Sequence, residues 1–304
     1  MTGVDSKLAG QVKPLGYRQN RFSGEKSPGS LIFLVLLWSA LALSFAFLLV
    51  LIVNTIIDGL PMATPTLLTN YPSSSADDAG ARPAILGSIW VVATTAILTI
   101  PLGVAAAIHL EEFADKNNAI NRAIELNVQN LAAVPSIIYG LLALAFLALL
   151  RFENKNVVIG GAVALGLLIM PVIIISAREA FRSIPMEVRE ASLALGASKW
   201  QTVWHQVLPA SLPGIATGSI LALSRALGEA APLLVLGGLV FVSFDPSSLM
   251  SQFTTMPIQI FNWSSRPQLE FRQLASAASI VLLVLLVLMN GLAIFIRNRY
   301  QKRW

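Results

Sequence analysis

The chain has 304 residues, of which 21 are Lys or Arg, 16 are Asp or Glu and none is Cys. Charged residues make up 12% and hydrophobic ones 55%, against roughly 25% charged in soluble domains, so there is too little charge to coat a soluble fold. The same figures exclude disordered, collagen-like and disulfide-stapled chains.

A bilayer core about 30 Å thick takes roughly 20 apolar helical residues. Six stretches free of Asp, Glu, Lys and Arg meet that length: Ser27 to Ile57, Pro83 to Leu110, Leu126 to Leu150, Asn156 to Ala177, Trp200 to Ser224 and Gln273 to Ile296. Their apolar cores predict membrane helices over 31–57, 84–108, 131–150, 157–178, 210–236 and 276–296. The first is too long for a signal peptide and lacks a small-residue cleavage pattern, so it reads as a retained span. Between the first two spans, 59–82 carries Pro61, Pro65, Pro72, three serines and Asp77-Asp78, and reads as an irregular loop. Pro101-Leu102-Gly103 is expected to break the second helix. The segment 243–272 reads as a longer loop or a partly re-entrant element. The predicted organisation is a tail, 1–30, a membrane domain, 31–296, and a short basic tail, 297–304.

Orientation follows from where the positive charges fall. Lys7, Lys13, Arg18, Arg21 and Lys26 precede the first span, and Lys116 and Arg122 follow the second. Arg178, Arg182, Arg189 and Lys199 lie after the fourth, and Arg297, Arg299, Lys302 and Arg303 follow the sixth. Fifteen basic residues thus share one side against five on the other, with Arg225 inside a span. Both termini are expected in the cytoplasm, and the net charge of +5 marks topology rather than nucleic-acid binding.

The inner loop 184–209 carries local signals. Pro185 suits the first turn of a helix running to about Leu195, and Gly196 supplies a turn. Ser198 with Gln201 is a capping-box pattern for a second short helix. That helix sets Trp200 and Trp204 on one face, and Pro209 is expected to open the next span. Such a helix could lie on the membrane surface or sit in a partner's groove.

Glu190-Ala191-Ser192, Gly196 and Leu208-Pro209 resemble the "EAA…G…LP" loop of permease subunits of ATP-driven importers. Ser192 stands where a second alanine is usual, and Gln206 where an isoleucine is usual. Four further runs narrow the resemblance: Pro101-Leu102-Gly103, Pro135-Ser136-Ile137-Ile138-Tyr139-Gly140, Ser224-Arg225-Ala226-Leu227-Gly228-Glu229-Ala230-Ala231-Pro232-Leu233, and Pro257-Ile258-Gln259-Ile260-Phe261-Asn262-Trp263. Over roughly 84–296 the chain is similar to the permeases of phosphate importers, and to the PstA type more than the PstC type. The resemblance implies an all-α integral membrane protein with six transmembrane helices in the type I importer permease fold. It implies a bacterial cytoplasmic-membrane location and a heterodimer with a PstC-like permease. It also implies two copies of a PstB-like ATPase and a PstS-like phosphate-binding protein. ATP and Mg would belong to the ATPase; no cofactor, metal or catalytic residue is expected in this chain. Glu190, Ala191, Gly196, Leu208 and Pro209 would form the loop that docks on the ATPase. A permease for sulfate or molybdate is the nearest alternative, and an ion-gradient transporter or channel a more distant one.

An arginine in mid-span costs at least about 2.5–3.5 kcal/mol on insertion scales, and an acidic residue costs a similar order. Arg225 and Glu229 lie four apart, on one face of the predicted fifth helix. They could simply neutralise each other, or the arginine could bond carbonyls exposed by a helix break, which Gly228, Pro232 and Gly237-Gly238 favour. A guanidinium also presents a planar fork suited to phosphate oxygens, and with the resemblance Arg225 is expected to attract the crossing oxyanion while Glu229 holds it when the path is empty. Ser224 and Ser136 are further candidates for lining hydroxyls. Gly214, Gly218, Ala222, Ala226 and Ala230 form a small-residue stripe for close helix packing, about 100° round from the Arg225 face. No Gly-rich phosphate loop ending in Lys-Ser/Thr, no HExxH and no Gly-x-Ser-x-Gly occurs. His109 and His205 read as surface histidines, and Glu111-Glu112 as a solvated helix end.

Overall fold

The computed structural model describes residues 28–115, 117–238 and 241–300. The tail 1–27, Lys116 and the last four residues lie outside these, and with them most of the basic residues of the two predicted tails. The described chain is all-helical, apart from one isolated bridge between Val157 and Gln252. It divides into two compact units, residues 1–52 and 53–304. In the first, every described residue lies on helix α1 (Pro28–Gly59) and is exposed, as suits an apolar helix surrounded by lipid or by another chain.

The second unit is built round three long helices: α3 (Arg82–Ile108), α6 (Val158–Arg182) and α9 (Leu208–Gly228). Small residues let them approach closely. Gly218 of α9 faces Ser176 of α6, Gly214 faces Ala180, and Gly103 of α3 faces Ile173. Val91, Leu165, Ile169, Ile173, Ala222 and Ala226 fill the seam, all nearly inaccessible to solvent. Gly214, Gly218, Ala222 and Ala226 of the small-residue stripe are therefore the packing face of α9 against α6, and Ala230 lies beyond that helix.

Five helices are long and apolar enough to cross a bilayer, and a bent pair supplies the sixth candidate. That pair corrects the expected third span. Instead of one helix over 131–150, α4 (Ala119–Leu131) and α5 (Ser136–Leu149) meet at 118°. Pro135 gives no N–H and pushes its predecessor out of the helical region, so the helix cannot run through. With 14 residues, α5 is only about 21 Å long. The amphipathic α4 lies outside the apolar spans.

The fifth span is also divided. After Gly228 the backbone at Glu229 is extended (φ −85°, ψ 119°), and a six-residue helix, α10 (Ala231–Leu236), follows. Gly237, at φ +94°, closes α10 in the left-handed region that a side chain would disfavour. α10 packs on α5, where Gly140 lies against the Pro232 backbone with no room for a Cβ. Pro101 does not break the second helix: α3 runs through it, as α6 runs through Pro171 and α9 through Pro213. Neighbouring helices tolerate such prolines within membrane bundles.

The stretch 59–82 is more ordered than an irregular loop. It holds a 3-10 turn (Leu60–Met62) and α2 (Pro65–Thr69), and it buries Leu67, Ala79 and Ala81. The Ala81 N–H donates to Leu67 O at 2.7 Å, and Asn70 Nδ2 donates to Asp78 O at 3.1 Å. The motif beginning at Pro257 forms α11 (Met256–Ser264), whose Met256, Ile258 and Trp263 are fully buried. It packs against the last helix, α12 (Leu269–Tyr300), and is pinned to α3 by the Met256 N–H donating to Ser88 Oγ at 2.9 Å.

Candidate functional site: an arginine at a helix break and a braced loop

On α9 the exposed residues Leu221, Arg225 and Gly228 follow one another at helical spacing. Exposed Gly214 and Thr217, earlier on the helix, instead lie against Ala180 of α6 and Arg297 of α12, so the open part of α9 is a short strip around Leu221 and Arg225. The Arg225 side chain is 46% exposed on it. Its Nε donates to Glu229 Oε1 at 3.4 Å, and the Glu229 side chain is 20% exposed. The pair is thus formed, with a corrected geometry: Glu229 sits on the extended link beyond the helix rather than one turn up the same helix. At 3.4 Å the bond is long for a charge-assisted contact, so the fork has capacity left for another anion.

Ser224 turns to the neighbouring helix. Its hydroxyl is shared between Ile220 O, at 2.7 Å, and Asn290 Oδ1 on α12. Ser136 is the half-buried first residue of α5, one turn before Gly140, where α5 meets α10 just past the break. The structure therefore brings Arg225 and Glu229 together and engages Ser224 in helix packing.

At the other end of α6 the loop is built as its residues suggest. Pro185 caps α7 (Met186–Ala194), and Gly196 takes φ +85°. The capping box closes, with Gln201 N donating to Ser198 Oγ at 3.2 Å and Ser198 N donating to Gln201 Oε1 at 2.8 Å. Glu190, Ala191 and Gly196 are exposed, Leu208 is half-buried and Pro209 is exposed. Both departures from the motif have a place: Ser192 Oγ lies 2.9 Å from Thr202 Oγ1, tying α7 to α8 (Lys199–Thr202), and Gln206 points outward. Pro209 does not open a separate span. A π-helical turn (Val203–Val207) joins α8 to α9, so that Lys199–Gly228 is one helical run; the wide turn reorganises the hydrogen-bond ladder where proline has no donor to give. Trp200 and Trp204 stack at 5.7 Å between centroids, and Trp200 also meets Phe113 at 5.9 Å.

Charges hold the loop, and Glu111-Glu112 is not the solvated helix end expected from its sequence. Glu111 and Glu112, on a π-helical turn (His109–Phe113) that extends α3, have side chains only 6% and 8% exposed. Arg178, on α6 rather than in a loop, is buried and reaches Glu111 at 3.2 Å and Glu125 of α4 at 2.7 Å. Arg182 also reaches Glu111, at 3.0 Å. The Arg178 guanidinium bonded to Glu125, with Arg182 nearby, holds that carboxyl below its ordinary range. Arg189 of α7 bonds Glu112 at 2.6 Å and donates to Ile184 O and Phe181 O at 2.8 and 2.9 Å. It thus fixes α7 to the end of α6. The signal in the sequence was charge complementarity: a carboxylate pair closing one apolar span, and three arginines closing another. Beside these braces opens a cavity of about 950 Å³, lined among others by Glu112, Asp115, Arg182, Pro185, Arg189 and Lys199. Among the described residues no cluster of His, Asp or Glu could hold a metal ion.

Residues 99–303 match the binding-protein-dependent transport system inner membrane component family. The chain is 32% identical to the probable ABC transporter permease protein YqgI of Bacillus subtilis over 264 residues, covering 82% of this chain and 88% of that one. It is 32% identical to the phosphate transport system permease protein PstA 1 of Mycobacterium tuberculosis over 219 residues, 72% of this chain and 70% of that one. Its fold is similar to that in a crystal structure of a bacterial alginate ABC transporter with its periplasmic protein, with TM-score 0.63 at 17% identity, covering 88% and 95% of the two chains. A multi-span helical bundle with an "EAA"-type loop at the foot of its central helix, matched over two thirds of its length, belongs to the family of binding-protein-dependent transport system inner membrane components.

Proposed function

We propose that this chain is a permease subunit of an ATP-driven inorganic phosphate importer and lines the translocation path together with a second, PstC-like permease. The observation that carries the reading is Arg225: a half-exposed guanidinium on the open strip of α9, beside a helix break, with one long bond to Glu229. Relatives named for phosphate transport support the choice of anion. The exposed face of α9 would meet its counterpart in the second permease, and the oxyanion would cross between them. In an empty path Glu229 holds the arginine. As the anion arrives the fork turns to its oxygens, and Glu229 can accept a hydrogen bond from a protonated phosphate oxygen.

With both termini cytoplasmic, as the basic residues favour, the loop 184–209 faces the cytoplasm and docks through Glu190, Ala191 and Gly196 on a PstB-like ATPase present in two copies. Hydrolysis of Mg-bound ATP takes place there, and this chain performs no catalysis. Because Arg189 fixes α7 to the ends of α3 and α6, the Glu111–Arg178–Glu125 brace ties those ends to α4, and the Lys199–Gly228 run has no break, a push on the loop travels directly to Arg225. Two discrete packings of the paired permeases, exchanged by the ATPase, would expose Arg225 to each side in turn. Phosphate arrives from a PstS-like binding protein. The test is uptake of labelled phosphate by the complete assembly in proteoliposomes. Uptake should require the ATPase and enclosed Mg-ATP, and resist competition by sulfate and molybdate. Equal competition by those anions, or uptake without the ATPase, would overturn the reading.

A further inference from the structure

A second groove runs between α3, α9 and α12, on the side of α9 away from Arg225. It has a volume of about 440 Å³ and is lined among others by Ile100, Ala216, Ser219, Leu223, Ala293 and Arg297. Nine residues separate Ala216 from Arg225, which at about 100° per residue places them on opposite sides of the helix. The groove is thus separate from the proposed path.

Its walls are apolar, with two exceptions. The Ser219 hydroxyl lines the groove, 6% exposed as a residue, and its Oγ has no hydrogen-bond partner. Arg297 stands at the end of α12 nearest the loop 184–209. Its guanidinium donates to Thr217 Oγ1 at 2.8 Å and to Asn298 Oδ1 at 3.1 and 3.2 Å, all neutral acceptors. Arg82, Arg178, Arg182, Arg189 and Arg225 each meet a carboxylate, whereas among the described residues Arg297 meets none. A cation without an anion at the mouth of an apolar slot asks for an occupant with a negative head and an apolar body. A helix with its side chains is about 10–12 Å across, so this volume holds roughly one turn of helix or less. A single acyl chain is the thinner fit.

We infer that this groove binds an anionic phospholipid of the cytoplasmic leaflet, its phosphate against Arg297 and one acyl chain along Ala216, Leu223 and Ala293. Basic pockets between membrane helices on that side suit anionic headgroups, each nearby cation contributing roughly a fivefold preference. The lipid would fill the seam between α9 and α12 without entering the path.

The experiment uses the assembled complex in phosphatidylcholine vesicles containing phosphatidylglycerol with a photoreactive acyl chain, and reads labelled peptides by mass spectrometry. Peptides from 212–223 and 290–297 should be labelled about fivefold more by this probe than by phosphatidylcholine bearing the same chain. Arg297→Gln should remove the difference, Arg297→Lys should keep it, and Ala216→Trp should abolish labelling by both probes. Equal labelling by the two probes on the native complex would overturn the inference without any variant. So would an unchanged preference in Arg297→Gln, or a photocrosslinker in place of Ala293 that captures the second permease instead of lipid.

Discussion

Two regions of this molecule use charge in opposite ways. At the foot of α6, Arg178, Arg182 and Arg189 interlock with Glu111, Glu112 and Glu125 at 2.6–3.6 Å, each arginine meeting a carboxylate at 3.2 Å or less, and the side chains of Arg178, Glu111 and Glu112 are nearly inaccessible. Seventeen residues up α9 from Leu208, Arg225 has one carboxylate at 3.4 Å and nearly half its side chain open. Saturated charges fix backbone elements to one another; an under-saturated one retains capacity for a visitor. The contrast separates the frame of this permease from its proposed path, and substitutions can sharpen or break it.

The largest stability effect should come from the frame. Arg178→Met leaves Glu125 without its nearest cation and takes one arginine from Glu111, and breaking a buried pair on one side costs about 3–5 kcal/mol. Because Arg182 persists, a loss near about 3 kcal/mol is expected, read as reduced thermal stability of the purified assembly. An unchanged melting profile would mean that the brace is decorative. Gly196→Val comes next. A Cβ there meets nothing within 4 Å, so the cost is that of φ +85° alone, about 1–2 kcal/mol. The variant should assemble but show weaker stimulation of ATP hydrolysis by loaded binding protein, while Gly196→Asn, which tolerates this region, should be milder. Equal loss in both would point to contact rather than conformation.

Ser224→Ala removes a link to Asn290 worth about 1 kcal/mol. It should lower stability slightly and leave phosphate uptake nearly intact; a sharp fall in uptake with unaltered stability would move this serine into the path. The smallest effect concerns pH. Arg178 holds the Glu125 carboxyl below its ordinary range, so this contact stabilises the fold above that range and is lost as pH falls through the depressed value. Glu125→Gln should therefore cost stability near pH 7 and progressively less as pH falls below the ordinary carboxylate range, measured as the pH dependence of thermal unfolding. A pH-independent difference would contradict the ionic account.

The spans were legible because bilayer thickness imposes a length that any charge-free run reveals. The loop 184–209 was legible in detail because its signals are local: Pro185, Gly196 and the Ser198–Gln201 box each act within a turn. Two helix breaks were harder to place. Pro135 divides its span and Pro101 does not, since neighbouring helices decide whether a proline's missing bond can be absorbed. The brace was missed for a similar reason. Glu111 and Arg178 lie far apart in sequence and meet only after α3 packs on α6. Arg225 and Glu229 stood out by the cost of burying charge; their spacing suggested one helix face, while Gly228 and Pro232 signalled the break at which the chain unwinds.

The most direct test is phosphate uptake by the complete reconstituted assembly carrying Arg225→Lys, which keeps the charge and removes the planar fork. The account predicts an assembly that forms, hydrolyses ATP and takes up phosphate at least about tenfold more slowly, equivalent to roughly 1.4 kcal/mol of lost stabilisation for the crossing anion. Uptake at the native rate in that variant would contradict it.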